Sequence, residues 1–571
     1  MSADQSPIPN PSPVAPRSSL LLLNALALLL VAVWFRCWSL GNIPGVNGDE
    51  AWYGVQAWLA LHGGAEGGWH TPTGNPLNPL FFGPLAILHL WFPPSFGLLR
   101  AVAVAGGLAA LAVNWLFCRW VFDRRTALIS TVLLAVLPIA IAYSRFAWDA
   151  SQSLAATLPV VYLALAAVRF PERFDHWIVA SILALAIAIW VHPTNIFIAT
   201  ITGVAWLAHC RPARRAADES RGTTECGCKT SSSVWCLAVL LVAGVLLAVW
   251  AWNVRPARGP LPERITQRWD DMGELRQPND LPSAAVLIAR LFTGGTVYRY
   301  IPGSRSWFEW PLAAERDGWG LDVGLFWAGV IGAAWLLWQS WRLGRDRRLP
   351  LGTADGLLLA AWILEIGGFL LVGGPRAMAP GQERFAICLV GPTALLLARG
   401  AALAWDAASS RWRVVLAAAT LAGWLVLADF QVHYFRFIEQ TGGQAHLTFR
   451  TGEVEPKQAA LWYILEQSAA NDRQSEPPQT WIVCSQWWNY WPIRYLAVAD
   501  RNVCVVQTTE IGDSDAYRQA LQQGRVWFVE FCDTEAQRQV ESQLAARKPT
   551  RQEFRDYGGR PTLCVLHVSA E

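Results

Sequence analysis

The chain has 571 residues, of which 53% are hydrophobic and only 16% charged, and it carries 33 Trp. That is too apolar for a soluble enzyme, where about a quarter of residues are charged, and too rich in bulky side chains for a disordered chain. The 46 basic and 43 acidic residues nearly cancel to +3, which excludes the concentrated basic footprint of a nucleic-acid partner.

Residues 1–19, with Pro7, Pro9, Pro11, Pro13 and Pro16, read as a cytoplasmic tail. The apolar blocks that follow predict about 11 membrane spans, each near the ~17–25 residues a crossing helix needs. They lie at 20–38, 98–118, 126–143, 151–168, 177–192, 194–209, 234–252, 321–341, 356–373, 385–404 and 414–430. The first ends in Arg36, Cys37 and Trp38 without a small-residue cleavage site, so it reads as a retained span. Leu80–Phe92 is too short to cross and predicts an interfacial or re-entrant helix. Pro193 divides Trp177–His209 into two short spans. With the N-terminus inside, the short inner loops carry Arg119, Arg124, Arg125, Arg211, Arg214, Arg215, Arg345 and Arg347, as the positive-inside rule requires.

Two outer loops (39–97 and 253–320) and a C-terminal region (431–571) are thus expected on the far side of a transmembrane domain spanning 20–430. In the tail, strand-like runs at Trp481–Ser485, Val503–Gln507, Val526–Phe531 and Leu563–Val568 alternate with helical runs at Asp515–Gln523 and Thr534–Ala546. The expected fold class is a polytopic α-helical membrane protein with a C-terminal extracytoplasmic α/β domain.

From Gly41 to Leu99 there is no Lys or Arg, and Asp49 and Glu50 stand out. Trp52, Val55, Trp58 and Leu59 follow at helical spacing, which places the acids at the start of an amphipathic helix. There the helix dipole favours an ionised carboxylate of the kind a general base requires. A capping role for Asp49 is the alternative. Asp149 is a second outer-edge acid, with Arg145 four residues before it as an ion-pair partner if the stretch is helical. Arg376 and Arg384 sit at another outer edge, where they could hold a lipid phosphate or anchor at headgroups. Ser485–Trp491 is rich in aromatics, and reads either as a sugar-stacking platform or as packing onto the membrane domain. Cys484, Cys504, Cys532 and Cys564 read as two disulfides or as buried free thiols.

Four segments together resemble the membrane glycosyltransferases of the C superfamily. They are Asp49-Glu-Ala-Trp-Tyr53 after the first span, the Pro-rich start Asn75–Leu80, the run from Phe96 through Arg125 to Arg145 and Asp149, and Arg384-Phe385 opening a late span. The nearest resemblance is to the bacterial branch of protein O-mannosyltransferases and lipid A aminoarabinose transferases (family 39-like). It implies a glycosyltransferase-C-like fold, a polyprenyl-phosphate sugar donor, and inverting transfer to an acceptor glycan, lipid or protein at the outer face of a cell inner membrane. It makes Asp49 the base, with Glu50 and Asp149 as further catalytic candidates. Arg145, Arg376, Arg384, His192 and Tyr53 become candidates for binding substrate or its phosphate. No cofactor is implied with certainty. A divalent metal stays open, although Asn75 and Asn78 stand where relatives often carry His or an acid. The alternatives from other classes are a glycolipid transporter or flippase and a non-catalytic glycan-binding membrane protein.

Overall fold

The computed structural model describes residues 17–63, 70–72, 75–219, 241–248, 281–309, 319–343, 353–372, 374–407, 412–471, 479–508 and 515–569. The membrane half begins with α1 (Arg17–Cys37), α2 (Gly48–Leu61), α3 (Pro79–His89), α4 (Phe96–Val121), α5 (Arg124–Val136) and α6 (Pro138–Tyr143). It continues with α7 (Ser153–Arg169), α8 (Phe174–Val191), α9 (Ala199–Glu219), α10 (Leu281–Thr293), α11 (Gly295–Tyr300), α12 (Leu321–Leu343), α13 (Ala354–Val372), α14 (Val390–Ala407) and α15 (Trp412–Phe430).

Among the described residues, six stretches are long and apolar enough to cross a membrane: Phe96–Val121, Asp149–Arg169, Pro171–Val191, Leu321–Arg342, Ala354–Val372 and Glu383–Asp406. They coincide with six of the expected spans, and the chain is a multi-pass membrane protein. Leu22–Cys37 is a shorter apolar helix, and so is the expected non-spanning segment Pro79–His89.

Two expected spans differ in form. The span at 126–143 is broken, because Leu137 is held extended (φ −59, ψ 124) before Pro138, which starts a new helix. The span at 194–209 opens with the 3-10 turn Pro193–Ile198, and its α-helix runs on to Glu219. The expected loop 253–320 holds two helices in its described part, α10 and α11. Of the span at 234–252, only 241–248 is described.

Polar groups tie the bundle together where apolar contacts give no direction. Asn114 of α4 accepts from the Tyr162 hydroxyl of α7 at 2.6 Å and donates to Thr131 of α5 at 2.9 Å. At the end expected to face inward, Arg399 pairs with Asp355 at 2.7 Å and with Asp123 at 3.0 Å.

The C-terminal region contains α16 (Phe437–Thr441), α17 (Pro456–Asn471), α18 (Trp487–Ala497), α19 (Asp515–Gln522) and α20 (Glu535–Leu544). They surround the strands β1 (Thr480–Cys484), β2 (Val503–Gln507), β3 (Val526–Phe531), β4 (Thr550–Arg555) and β5 (Pro561–His567). The sheet order is β2-β1-β3-β5-β4, with β1 parallel to β2 and β3 and with β5 antiparallel to β3 and β4. The expected strands and helices are present within one or two residues at each end. The expectation lacked β4, α16, α17 and α18. One face of the sheet buries Val483, Val526 and Phe528 against Ala520 and Val540. The other face buries Ile482, Val529 and Leu563 with Tyr495 of α18, in a cluster that continues into Val55 of α2 and Phe81 of α3. The two halves of the protein share this core.

Candidate functional site

The loop after α1 is shaped by two enclosed arginines. Arg100, at the start of α4, donates to the carbonyls of Leu40, Pro44 and Gly45. Arg145 donates to the carbonyls of Phe35, Trp38 and Ile43. Asn47 then starts α2: its side chain accepts from the Asp49 N–H at 2.8 Å, and Glu50 closes the capping box by accepting from the Asn47 N–H at 3.0 Å. The cap is therefore Asn47, and Asp49 is left to do something else.

Asp49 lies in the first turn of this helix with one third of its side chain exposed. Its Oδ1 accepts from the Trp487 indole N–H at 2.9 Å, and its Oδ2 lies 3.6 Å from the Arg384 guanidinium. Burial pushes the Asp49 carboxyl up, while Arg384 and the Trp487 hydrogen bond pull it back down. A carboxylate raised in this way is a stronger base than an ordinary one. Tyr53, one turn along α2, is buried and hydrogen-bonded to Asp149, and burial holds its hydroxyl well above the usual range. Asp149 is partly exposed and accepts from the neighbouring Ala150 N–H at 2.8 Å. Arg384 is braced by aromatic faces, with its guanidinium 5.7 Å from the Trp148 ring and 5.1 Å from that of Phe385. His192 is buried beside them, its ring 5.9 Å from Phe385 and its Nδ1 2.7 Å from the Thr194 hydroxyl.

The structure thus brings together Asp49, Tyr53, Asp149, His192 and Arg384 from four distant segments. It does not bring Glu50 or Arg145 to an open position. Glu50 is fully enclosed, accepting from Arg100 Nε and Nη2 at 2.8 Å and from the Ala147 N–H at 2.9 Å. It joins the loop bearing Asp49 to the loop bearing Asp149. The expected Arg145–Asp149 pair does not form, because the stretch between them is not helical and the Arg145 donors are taken by carbonyls. The Arg376 backbone lies in the short turn Pro375–Met378, and its side chain is outside the described residues.

Two contributors escaped the sequence reading. Arg100 was signalled by its isolation, as the first basic residue after a stretch holding none. Trp487 gave no signal beyond the aromatic run around it. Among the described residues no group of three His, Cys, Asp or Glu side chains gathers to hold a metal ion. Asn78 is committed to Gln152 at 3.0 Å and to the Leu80 N–H. The cation beside Asp49 is Arg384, so the residues present do not fit a metal at this point.

The sequence matches no family model and no curated protein. Among solved structures, ArnT from Cupriavidus metallidurans, a lipid A aminoarabinose transferase, superposes in its apo state over 96% of this chain and 98% of its own, at 13% identity and TM-score 0.52. The likeness is one of fold: this chain shares the ArnT fold. The same ArnT bound to undecaprenyl phosphate gives a TM-score of 0.48 at 13% identity, over 97% and 98% of the two chains. The oligosaccharyltransferase AglB from Archaeoglobus fulgidus, in complex with an inhibitory peptide and a dolichol-phosphate, gives 0.44 at 16% identity, over 90% of this chain and 70% of that one.

Proposed function

We propose that this chain is an inverting glycosyltransferase that moves a sugar from a polyprenyl-phosphate donor to an acceptor hydroxyl at the outer face of the inner membrane. The observation that carries the reading is the Asp49–Arg384 pair at 3.6 Å, partly open, with Asp149 close by. An acid and a cation side by side are what displacement of a phosphate requires. Asp49 takes the proton of the acceptor hydroxyl, and the acceptor oxygen forms its bond to the anomeric carbon. The bond from that carbon to the phosphate oxygen breaks on the opposite face, and its electrons stay with the polyprenyl phosphate. Arg384 meets the charge that develops there. Leaving Asp49 for the phosphate, Arg384 also removes a cation that keeps the carboxylate weakly basic, so donor binding strengthens the base. Asp149, oriented by Tyr53, is placed to hydrogen-bond sugar hydroxyls. The C-terminal domain lies on the outer side.

The likeness of fold to ArnT supports this reading, and so does the position of the open acids at one edge of the helical bundle. The test is transfer in proteoliposomes containing radiolabelled mannosyl-, aminoarabinosyl- or arabinosyl-phosphoundecaprenol, comparing wild type with Asp49→Asn. Asn keeps the size and cannot take the proton, so transfer is expected to disappear. Transfer at the wild-type rate would refute the base, and movement of intact glycolipid across the bilayer without transfer would favour a flippase.

A further inference from the structure

We propose that Trp487, supplied by the C-terminal domain, is a positioning residue that fixes the Asp49 carboxylate through its indole N–H. This role rests on Asp49 being the base, and it makes the C-terminal domain part of the active site. Trp487 is the first residue of α18, which lies directly against α2. A Cβ at Gly48 would fall 2.6 Å from the Trp487 carbonyl oxygen and 2.7 Å from its Cδ1, so only glycine admits this approach next to Asp49. The contact repeats further along: a Cβ at Gly54 would fall 2.5 Å from the Tyr495 ring. Trp491 joins the two points, with its ring 5.2 Å from Trp487 and 6.4 Å from Trp52. The indole is clamped on its backbone side and along its ring, so its N–H points to Asp49 Oδ1 at 2.9 Å by construction.

The choice of residue matters chemically. An indole N–H donates and cannot accept. It therefore stays a donor to Asp49 throughout a proton-transfer cycle and does not compete for the proton. Arg384 lies farther away at 3.6 Å and is needed by the phosphate. When it turns to the donor, Trp487 is the partner that remains, holding one carboxylate oxygen so that the other faces the acceptor.

Dicyclohexylcarbodiimide reacts with protonated carboxyl groups, and peptide mass spectrometry resolves label on Asp49 from label on Asp149. Labelling of the full chain in detergent across a pH series reads the Asp49 midpoint without a substrate. Trp487→Phe keeps the ring and loses the N–H, and should raise that midpoint by about one pH unit, a roughly tenfold change in the ionised ratio. Gly48→Ala, which pushes α18 away from the other side, should raise it in the same direction. Trp487→His retains a ring donor and should return the midpoint toward wild type. A wild-type midpoint in Trp487→Phe, with Asp149 labelling and gel-filtration profile unchanged, overturns the role. Should Asp49→Asn retain full transfer, the base reading fails and takes this role with it. Should Asp49→Asn be inactive while the Trp487→Phe midpoint stays put, this role alone fails.

Discussion

Replacing Arg384 by Gln separates the two duties assigned to it, because they act on different observables. The guanidinium lies 3.6 Å from Asp49, and both side chains are 33% exposed. Coulomb's law at that distance gives about 1 kcal/mol in water and about 5 kcal/mol at an effective dielectric of ~20. With a third of each group in water the lower part of that range applies, about 1.5 kcal/mol, which is about one pKa unit. The Asp49 carboxyl is already pushed up by burial, and removing Arg384 takes away the first of the groups that pull it down. The base must be ionised to work, so the acidic limb of kcat/KM should move up by about one pH unit in Arg384→Gln. The loss at the leaving phosphate does not depend on that ionisation. It should lower the plateau above the limb by about 10²–10³, the usual cost of removing one charge-stabilising donor.

The assay is the pH–rate profile in proteoliposomes between about pH 5 and 9, the range over which an acidic limb is read. Arg384→Lys provides the internal control: it keeps the positive charge near Asp49 but loses the planar fork, so the limb should stay while the plateau falls. A limb that moves equally in both variants, or a plateau that stays within twofold of wild type in Arg384→Gln, would refute the reasoning.

Two further predictions concern buried carboxylates. Glu50→Gln leaves Arg100 fully enclosed without its carboxylate, and breaking such a pair costs about 3–5 kcal/mol; the melting temperature in detergent should fall, and Glu50→Gln with Arg100→Met should recover part of the loss. Glu530 is enclosed in the sheet, accepting from the Ser485 N–H, and burial pushes its carboxyl up to about 7. Its folded form prefers the proton, so stability is highest below the unfolded value near 4.5 and is lost as pH rises to about 7, by about 3 kcal/mol in total. Glu530→Gln should flatten the melting temperature between those limits, and a melting temperature that still falls over that window would exclude Glu530 as the cause.

Much of the membrane half was legible because spanning a bilayer leaves a coarse record: long apolar runs, ended by charges sorted by side. What failed were local breaks, as at Pro138, where an apolar run continued without a continuous helix. In the C-terminal domain the buried strands announced themselves. Edge strand β4 (Thr-Arg-Gln-Glu-Phe-Arg) did not, because its charged, mostly exposed side chains carry no alternating apolar pattern. In the site, Asp49 and Asp149 were legible because charge is scarce around them. Glu50 looked equivalent to Asp49 in sequence, and only the tertiary partner Arg100 separates them. Arg145 looked like an ion-pair partner at helical spacing, but the turn between them denies that spacing. Trp487 was beyond reach, since its contact to Asp49 joins residues 438 positions apart.

The distribution of charge also weighs on the choice between an enzyme and a flippase. A path for a phosphate-bearing lipid headgroup through the bilayer needs polar groups in steps it can follow. Among the described residues several charges of the membrane half fall into closed sets. Arg399, Asp355 and Asp123 satisfy one another at one end of the bundle. Arg290 with Asp322, and Arg299 with Glu309, form pairs around α10 to α12. The Asn114 cluster is neutral, and the Asn114 Oδ1 accepts from Tyr162 and Ser130. Glu365 is enclosed within α13, and among the described residues no ion pair involves it. Asp49 and Asp149, both partly open, lie together beside Arg384, and Trp487 of the C-terminal domain donates to Asp49 there. Charge held in one place serves a reaction there, whereas transport would require it spread along the route.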